Sequence, residues 1–392
     1  MRRGFPRGLV AVAAASTLLL AACGGDDDNG GGGDASGGGG SNAACGKTIG
    51  FFGALTGSAA NLGINIRDGA KLAVDQYNTA NPNCKVTLKN FDSEGSEDKA
   101  PAVATQVIND ESVIGVVGPA FSGETDATGD AFDEAGLPTI SASATRPSLS
   151  EQGWKTFHRI LGNDASQGPS AGNYIKNTLK AQKVFIIDDN SAYGTGLAEE
   201  VKKIAGSAAG TDKVAGDGQQ TDFSATVTKV KSSGADAVFY GGYYQNAGLL
   251  IKQLREANVT AKFVAGDGVK DEGFIKAAGA QAAEGAILTC PCNPPPKVEG
   301  TFFEDYKKAT GKEPGTYSAE AFDAANVFLA GVKAGKGTRE DMNTFISTYD
   351  AKGITKQVKF DDKGEIEKQN IVVWAYIVKG GKIVEDQEIP QT

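Results

Sequence analysis

Short apolar runs recur along this chain at a spacing that few folds accommodate. Thr48–Ala54, Lys85–Phe91 and Val113–Val117 each read as a strand, and a segment of helical length follows each of them. In Leu62–Ala80 the residues Ile66, Ala70, Ala73, Val74 and Tyr77 fall near helical spacing, and Lys99–Asn109 reads as the next helix. A second series has helices over Gly168–Lys180, Gly196–Ala209, Phe223–Ser233 and Gln245–Ala257. Its strands are Lys183–Asp188, Ala235–Tyr240, Lys262–Ala265 and Gly285–Thr289. Helices around Gly300–Thr310, Ser318–Gly335 and Arg339–Tyr349 follow, then strand-like runs at Thr355–Phe360, Asn370–Ile377 and Lys382–Glu388. Repeated strand–helix units demand mostly parallel sheets covered by helices on both faces, which is an α/β fold. Two such series predict two doubly wound lobes with a cleft between them, where a small ligand would lie.

The stretch Val113–Ser150 is the richest in chemistry. Its two apolar runs, Val113–Val117 and Pro138–Ile140, both break off into small, hydroxyl-bearing residues: Gly118–Thr125 after the first, Ser141–Thr145 after the second. In open parallel sheets, ligands sit beyond the carboxyl ends of the strands. Small residues there let backbone N–H groups approach, Ser122, Ser143 and Thr145 add hydroxyls, and a helix starting near Gly123 points its positive end at the same place. At one strand end such residues would be read as caps and turn formers. At two adjacent ends they argue for a carboxylate-sized anion site.

The second series ends its strands differently. Tyr193 follows one strand, Tyr243 another, and Asp267 a third. A carboxylate among tyrosines can pair an ammonium and cover an aliphatic chain. One lobe suited to a carboxylate and the other to an ammonium describe an α-amino acid.

The amino terminus sets the compartment. Residues 1–22 carry Arg2, Arg3 and Arg7 and then an apolar run, Leu9–Leu20, too short to span a bilayer but of signal-peptide length. Leu20-Ala21-Ala22-Cys23 matches a lipoprotein processing site, with Cys23 the lipidated residue. Residues 23–45 then form a Gly-, Asp- and Ser-rich tether that can bury nothing. The chain is therefore expected outside the cytoplasm, anchored to the membrane by lipid. Loss of the leader takes the formal charge from −9 to about −12, and no basic cluster remains, which opposes nucleic-acid binding.

Four cysteines are left after Cys23. Cys45 and Cys84 each precede a strand, so neighbouring parallel strands would bring them to one end of the sheet, and they are expected to pair. Cys290 and Cys292 pair by elimination. A metal at that C-x-C would need further soft ligands, and the single histidine, His158, is remote in sequence, so no metal and no cofactor are expected. His158 itself is read as structural.

An enzyme reading finds little support. Gly168-Pro169-Ser170-Ala171-Gly172 fits G-x-S-x-G, but it follows a polar, turn-like segment rather than a strand, and no histidine lies downstream.

The order of motifs across the chain resembles the branched-chain amino-acid (Leu/Ile/Val) substrate-binding lipoproteins of bacterial ABC transporters, which have a type I periplasmic-binding fold. The matching landmarks begin with Gly53-Ala54-Leu55-Thr56-Gly57, Ile140–Thr145 and Ser166-Gln167-Gly168-Pro169. They continue with Tyr193-Gly194-Thr195-Gly196, Asp222-Phe223-Ser224, Tyr240-Gly241-Gly242-Tyr243 and Phe360–Gly364, in family order from about residue 46 onward. The resemblance implies carboxylate contacts on Ser122, Ser143 and Thr145, with Ala144 lining the site. It implies ammonium contacts on Ser143, Thr145 and Asp267, with Tyr193 and Tyr243 closing over the ligand. It further implies a three-segment hinge near residues 162, 292 and 354, giving one lobe of 46–162 plus 293–353 and another of 163–292 plus 354–392. The partners implied are an amino acid, with leucine, isoleucine and valine ranked first, and the permease subunits of an ABC transporter, to which a monomer delivers it. Three positions depart from the family: Asp267 stands where Glu is common, Leu62 where an aromatic is common, and Phe121 where some members carry a disulfide cysteine. The alternative that this leaves is a sensor or binding protein for an amide, urea or aromatic acid.

Overall fold

A computed structural model describes Ala44–Pro390 except Asp217 and Gln219. The leader over 1–22, Cys23 and the tether up to residue 43 lie outside the described residues.

The first series runs β1 (Thr48–Gly53), α1 (Ala60–Ala80), β2 (Thr87–Asp92), α2 (Ala100–Ile108), β3 (Val113–Val117), α3 (Ser122–Glu134), β4 (Thr139–Ser141) and β5 (Phe157–Arg159). Its strands form a parallel five-stranded sheet in the order β2-β1-β3-β4-β5. The chain continues through α4 (Asp164–Asn173), β6 (Val184–Asp188), α5 (Ala192–Ala205), β7 (Gly210–Lys213), α6 (Ser224–Ser233), β8 (Ala237–Gly241) and α7 (Tyr244–Glu256). Then come β9 (Lys262–Ala265), α8 (Glu272–Ala278), α9 (Ala280–Ala283) and β10 (Ile287–Cys290). The remainder comprises α10 (Phe302–Thr310), α11 (Ser318–Lys333), α12 (Arg339–Ser347), β11 (Asp350–Lys352), β12 (Gln357–Lys359), β13 (Trp374–Lys379) and β14 (Lys382–Glu388). The second sheet has the order β14-β13-β10-β9-β8-β6-β7, parallel except for its two last-formed strands, which add antiparallel at one edge. The fold is α/β with two mostly parallel sheets.

The central strands read as unbroken apolar runs because helices cover both their faces, and every residue of β1, β3, β6 and β8 is buried. After β10 the chain returns to the first sheet. There α11 packs along α1 so closely that a Cβ on Gly69 would lie 2.0 Å from the Ser318 carbonyl oxygen. The β11–β12 hairpin also stays on this side, since Asp323 of α11 accepts the Ile354 and Thr355 amides at 2.8 and 2.9 Å. Residues as late as Glu365 still bridge in parallel to Arg159 at the end of β5, and the second sheet is entered only at Trp374.

The helix expected over Gly168–Lys180 starts earlier, at Asp164, where the Asn163 side chain caps it by accepting the Ala165 amide at 3.0 Å. Beyond Asn173 it widens into a π-turn over Tyr174–Thr178. Cys45 and Cys84 form a disulfide with their Cα atoms 4.6 Å apart, at the amino ends of β1 and β2, which are parallel neighbours. Cys290 and Cys292 form the second, with Cα atoms 5.1 Å apart, where the chain leaves β10. Among the described residues no helix is long and apolar enough to cross a membrane.

Candidate ligand-binding site

Two adjacent strand ends of the first sheet build one wall. After β3 the chain passes through Pro119, Ala120 and Phe121 into α3, and the Phe121 amide donates to Glu124 Oε2 at 3.1 Å. Glu124 is fully buried against the Ser93 hydroxyl, and burial pushes its carboxyl up to about 7 despite the hydrogen bonds that favour ionisation. After β4, the Ser141 hydroxyl donates to the Pro119 carbonyl at 2.7 Å and accepts the Ala144 amide at 3.0 Å. The Ser143 hydroxyl donates to the Ala120 carbonyl at 2.5 Å, and Ser122 Oγ accepts the Arg146 amide at 3.2 Å. The small hydroxyl residues thus knit the two strand ends together. Behind them the fully buried Arg159 donates to the Ala144 and Arg146 carbonyls at 2.9 and 2.8 Å and pairs with Glu365 at 3.0 Å. That network fixes the loop that carries Ser143.

The second sheet supplies the opposite wall. Tyr193, on the first turn of α5, donates to Asp267 Oδ1 at 2.8 Å and accepts the Gly268 amide at 3.1 Å. The backbone passes the ring so closely here that a Cβ on Gly268 would lie 2.8 Å from Tyr193 Cε1 and 2.7 Å from the Gly242 carbonyl oxygen. Asp267 is 3% exposed, and burial raises its pKa, with Tyr317, Gln167 and Tyr193 working in the other direction. Tyr193 and Tyr243 pack with ring centroids 5.2 Å apart. Tyr243 meets Phe121 of the first wall edge to face at 5.4 Å, in the geometry that aromatic pairs prefer.

These residues line one small cavity between the two walls. Ser122, Ser143, Tyr193, Tyr243 and Asp267 all line it, and Leu62 and Phe121 supply apolar wall as the sequence suggests. Ala144 and Thr145 do not line it. Arg159 holds the Ala144 carbonyl from behind, and the fully buried Thr145 hydroxyl is turned toward Asp164. Ile66, Gly268 and Tyr317 join the lining without having been singled out in the sequence. Ile66 is visible there only as part of a helix face. Tyr317 arrives from a left-handed residue (φ 67°) ahead of α11, which no periodicity marks. Its hydroxyl favours the ionised form of Asp267 yet makes no well-formed hydrogen bond to the protein. Among the described residues lining the space there is no lysine or arginine.

Beside the cavity the two walls are joined by polar contacts. Asn61 donates to Asp271 at 2.9 Å, Lys270 Nζ donates to the Thr316 hydroxyl at 3.3 Å, and that hydroxyl donates to the Lys270 carbonyl. Burial brings the Lys270 ammonium down to about 8, opposed by the charges of Glu320, Asp271 and Asp267.

The remaining sequence candidates have ordinary roles. His158 is buried in β5 with Nδ1 3.2 Å from the Thr156 carbonyl oxygen. Ser170 lies inside α4 and donates to the Ser166 carbonyl at 2.8 Å, so the G-x-S-x-G pattern sits on a helix and not at a strand-to-helix turn.

The chain is similar in sequence and fold to known proteins. An amino acid binding protein of Pseudomonas aeruginosa is 32% identical over 87% of this chain and 92% of its own length. A leucine-, isoleucine-, valine-, threonine- and alanine-binding protein from the same organism is 32% identical over 84% of this chain and 89% of its own length. Among solved structures, the branched-chain amino acid transporter substrate binding protein LivJ from Streptococcus pneumoniae, in complex with isoleucine, superposes with a TM-score of 0.81. It is 28% identical, over 88% of this chain and all of that one. The family model described as periplasmic binding protein matches residues 47–380, and the chain is a member of that family.

Proposed function

We propose that this protein captures an α-amino acid between its two lobes, with leucine, isoleucine and valine preferred, and delivers it to an ABC permease. The observation that carries this reading is the placement of Asp267 opposite Ser122 and Ser143 across one small, largely apolar cavity. The names of the relatives and of the isoleucine-bound neighbour point the same way.

The two serines take different roles. Ser122 Oγ already accepts the Arg146 amide, so its proton is available to the ligand carboxylate. It is joined there by the first N–H groups of α3, which have no partner within the helix. Ser143 has committed its proton to the Ala120 carbonyl, so it faces the ligand as an acceptor and takes an ammonium proton alongside Asp267. Leu62, Ile66, Phe121 and Tyr243 surround the side chain, and burying a leucine-sized group contributes roughly 2–3 kcal/mol. A ligand without an ammonium brings no countercharge to the buried Asp267, so the site discriminates against it.

Family membership fits an extracytoplasmic location, and Cys23 is the residue we assign to lipid anchoring of a monomer. Titration calorimetry against leucine, valine, phenylalanine, acetamide, urea and benzoate tests the ligand class. Leucine is expected to bind with a Kd of about 1 μM or tighter, equivalent to about −8 kcal/mol, with no heat from the amides or benzoate. Benzoate or urea binding in the absence of amino-acid binding would overturn the assignment.

A further inference from the structure

The helix turn that presents Ser122 to the cavity also carries an acid that does not line it. Glu124 is the third residue of α3 and is 0% exposed, close in the chain to Phe121 and Ser122, which both line the cavity. Its Oε2 accepts the Phe121 amide at 3.1 Å, and its Oε1 accepts the hydroxyl of Ser93, just after β2. Ser93 Oγ in turn accepts the Gly95 amide at 3.4 Å, so its own proton is committed to Glu124. Both partners of the carboxylate are neutral. The ionisable groups that bear on it are acids and a phenol. Asp92 adds like charge, Tyr243 on the facing wall feels the Glu124 charge, and a Cβ on Gly123 would lie 2.6 Å from Oε2 of the exposed Glu97. Of the cations nearby in the chain, Lys99 pairs with Glu94 at 2.6 Å, and Arg146 meets Ser122 through its backbone amide.

An acid at this position completes a helix cap, but here it shares the first turn of α3 with the place the ligand carboxylate takes. Ionised, it draws on the same positive helix end as the ligand and repels the ligand carboxylate across a buried turn, where water screens little. Neutral, it leaves that helix end to the ligand. We propose that Glu124 is a positioning residue that sets the strength of the carboxylate end of the site, weakening it when ionised and strengthening it when protonated, without touching the ligand. The inference rests on the amino-acid reading above and adds to it a control on affinity. Burial holds the Glu124 carboxyl up at about 7, so the change falls near neutral pH and leucine is held more tightly as the surroundings acidify.

The test is calorimetry of leucine binding to the full protein and to Glu124→Gln, from about pH 5.5 to about pH 8.5. Glutamine keeps an oxygen for the Phe121 amide and carries no charge at any pH. The ratio of the wild-type Kd to the variant Kd is expected to be near one at the acid end and to climb to about three- to tenfold at the alkaline end, with its midpoint near 7. Asp189, at about 6, and Lys270, at about 8, titrate in the same window but are common to both proteins and cancel in the ratio. A structural role alone would give a ratio independent of pH; that result, or a ratio that falls as pH rises, overturns the proposal. Should Glu124→Gln fail to fold, Ser93→Ala takes its place. Without the hydroxyl that favours the ionised form, Glu124 stays protonated to higher pH, so this variant is expected to bind leucine more tightly than the wild type at about pH 7.5. Equal or weaker binding there overturns the proposal. Failure of the wild type to bind any amino acid at any pH would instead strike the reading of the ligand class, and this inference would fall with it.

Discussion

Replacing Asp267 with asparagine separates the binding role of this residue from any structural one. Asparagine keeps an oxygen where Oδ1 accepts the Tyr193 hydroxyl at 2.8 Å, and it has the same shape, so the wall is preserved. Only the charge is lost. A hydrogen bond between charged groups in a buried site contributes about 1.5–3 kcal/mol, so leucine affinity should fall by at least about tenfold and as much as about 150-fold. Stability should move in the opposite direction. The folded-state pKa of Asp267 is raised by burial, so its contribution favours folding most at low pH and is lost as pH rises through that raised value. At pH 7 the free variant, relieved of a carboxylate that resists ionisation, should melt no lower than the wild type. Calorimetry for affinity and thermal unfolding without ligand read the two effects separately. Unchanged leucine affinity would refute the ammonium assignment. Lower affinity accompanied by a large drop in melting temperature would refute the separation of roles.

Two further outcomes are expected. Gly69→Ala places a Cβ 2.0 Å from the Ser318 carbonyl oxygen, so α1 and α11 must separate; a loss of about 1–3 kcal/mol in urea unfolding is expected, with weaker leucine binding because Tyr317 adjoins the contact. His158 is held neutral by burial, with its pKa down to about 4, so the unfolded chain takes up its proton first; stability should fall as pH drops from about 6.5 toward 4, by up to roughly 3 kcal/mol, and His158→Gln should flatten that part of a urea-unfolding profile.

The central parallel strands were legible because two-sided burial writes itself as an apolar run, and Lys262–Ala265 falls where the pattern puts it. β5 was not, because two of its three residues, His158 and Arg159, are polar types that break an apolar run although the strand is buried. β7 was missed for another reason: as an edge strand it alternates half-buried and exposed residues too briefly to show a period. At the site, residues on strand ends declared themselves through composition, as Ser122, Ser143, Tyr193, Tyr243 and Asp267 did. Tyr317 and Asp164 come from the approach to α11 and the start of α4, where local pattern says nothing about what will be brought near. Thr145 shares its neighbours' composition, yet its hydroxyl faces Asp164, a partner visible only in three dimensions.

The five residues from Asp267 to Asp271 combine two jobs. One end touches the cavity and the other carries the polar links to Asn61 and Thr316 on the facing wall. A change in this short segment therefore disturbs the contacts between the two walls whenever it alters the cavity lining. New side-chain preferences are more freely acquired at Leu62, Ile66 and Phe121, which line the cavity and take no part in those hydrogen bonds.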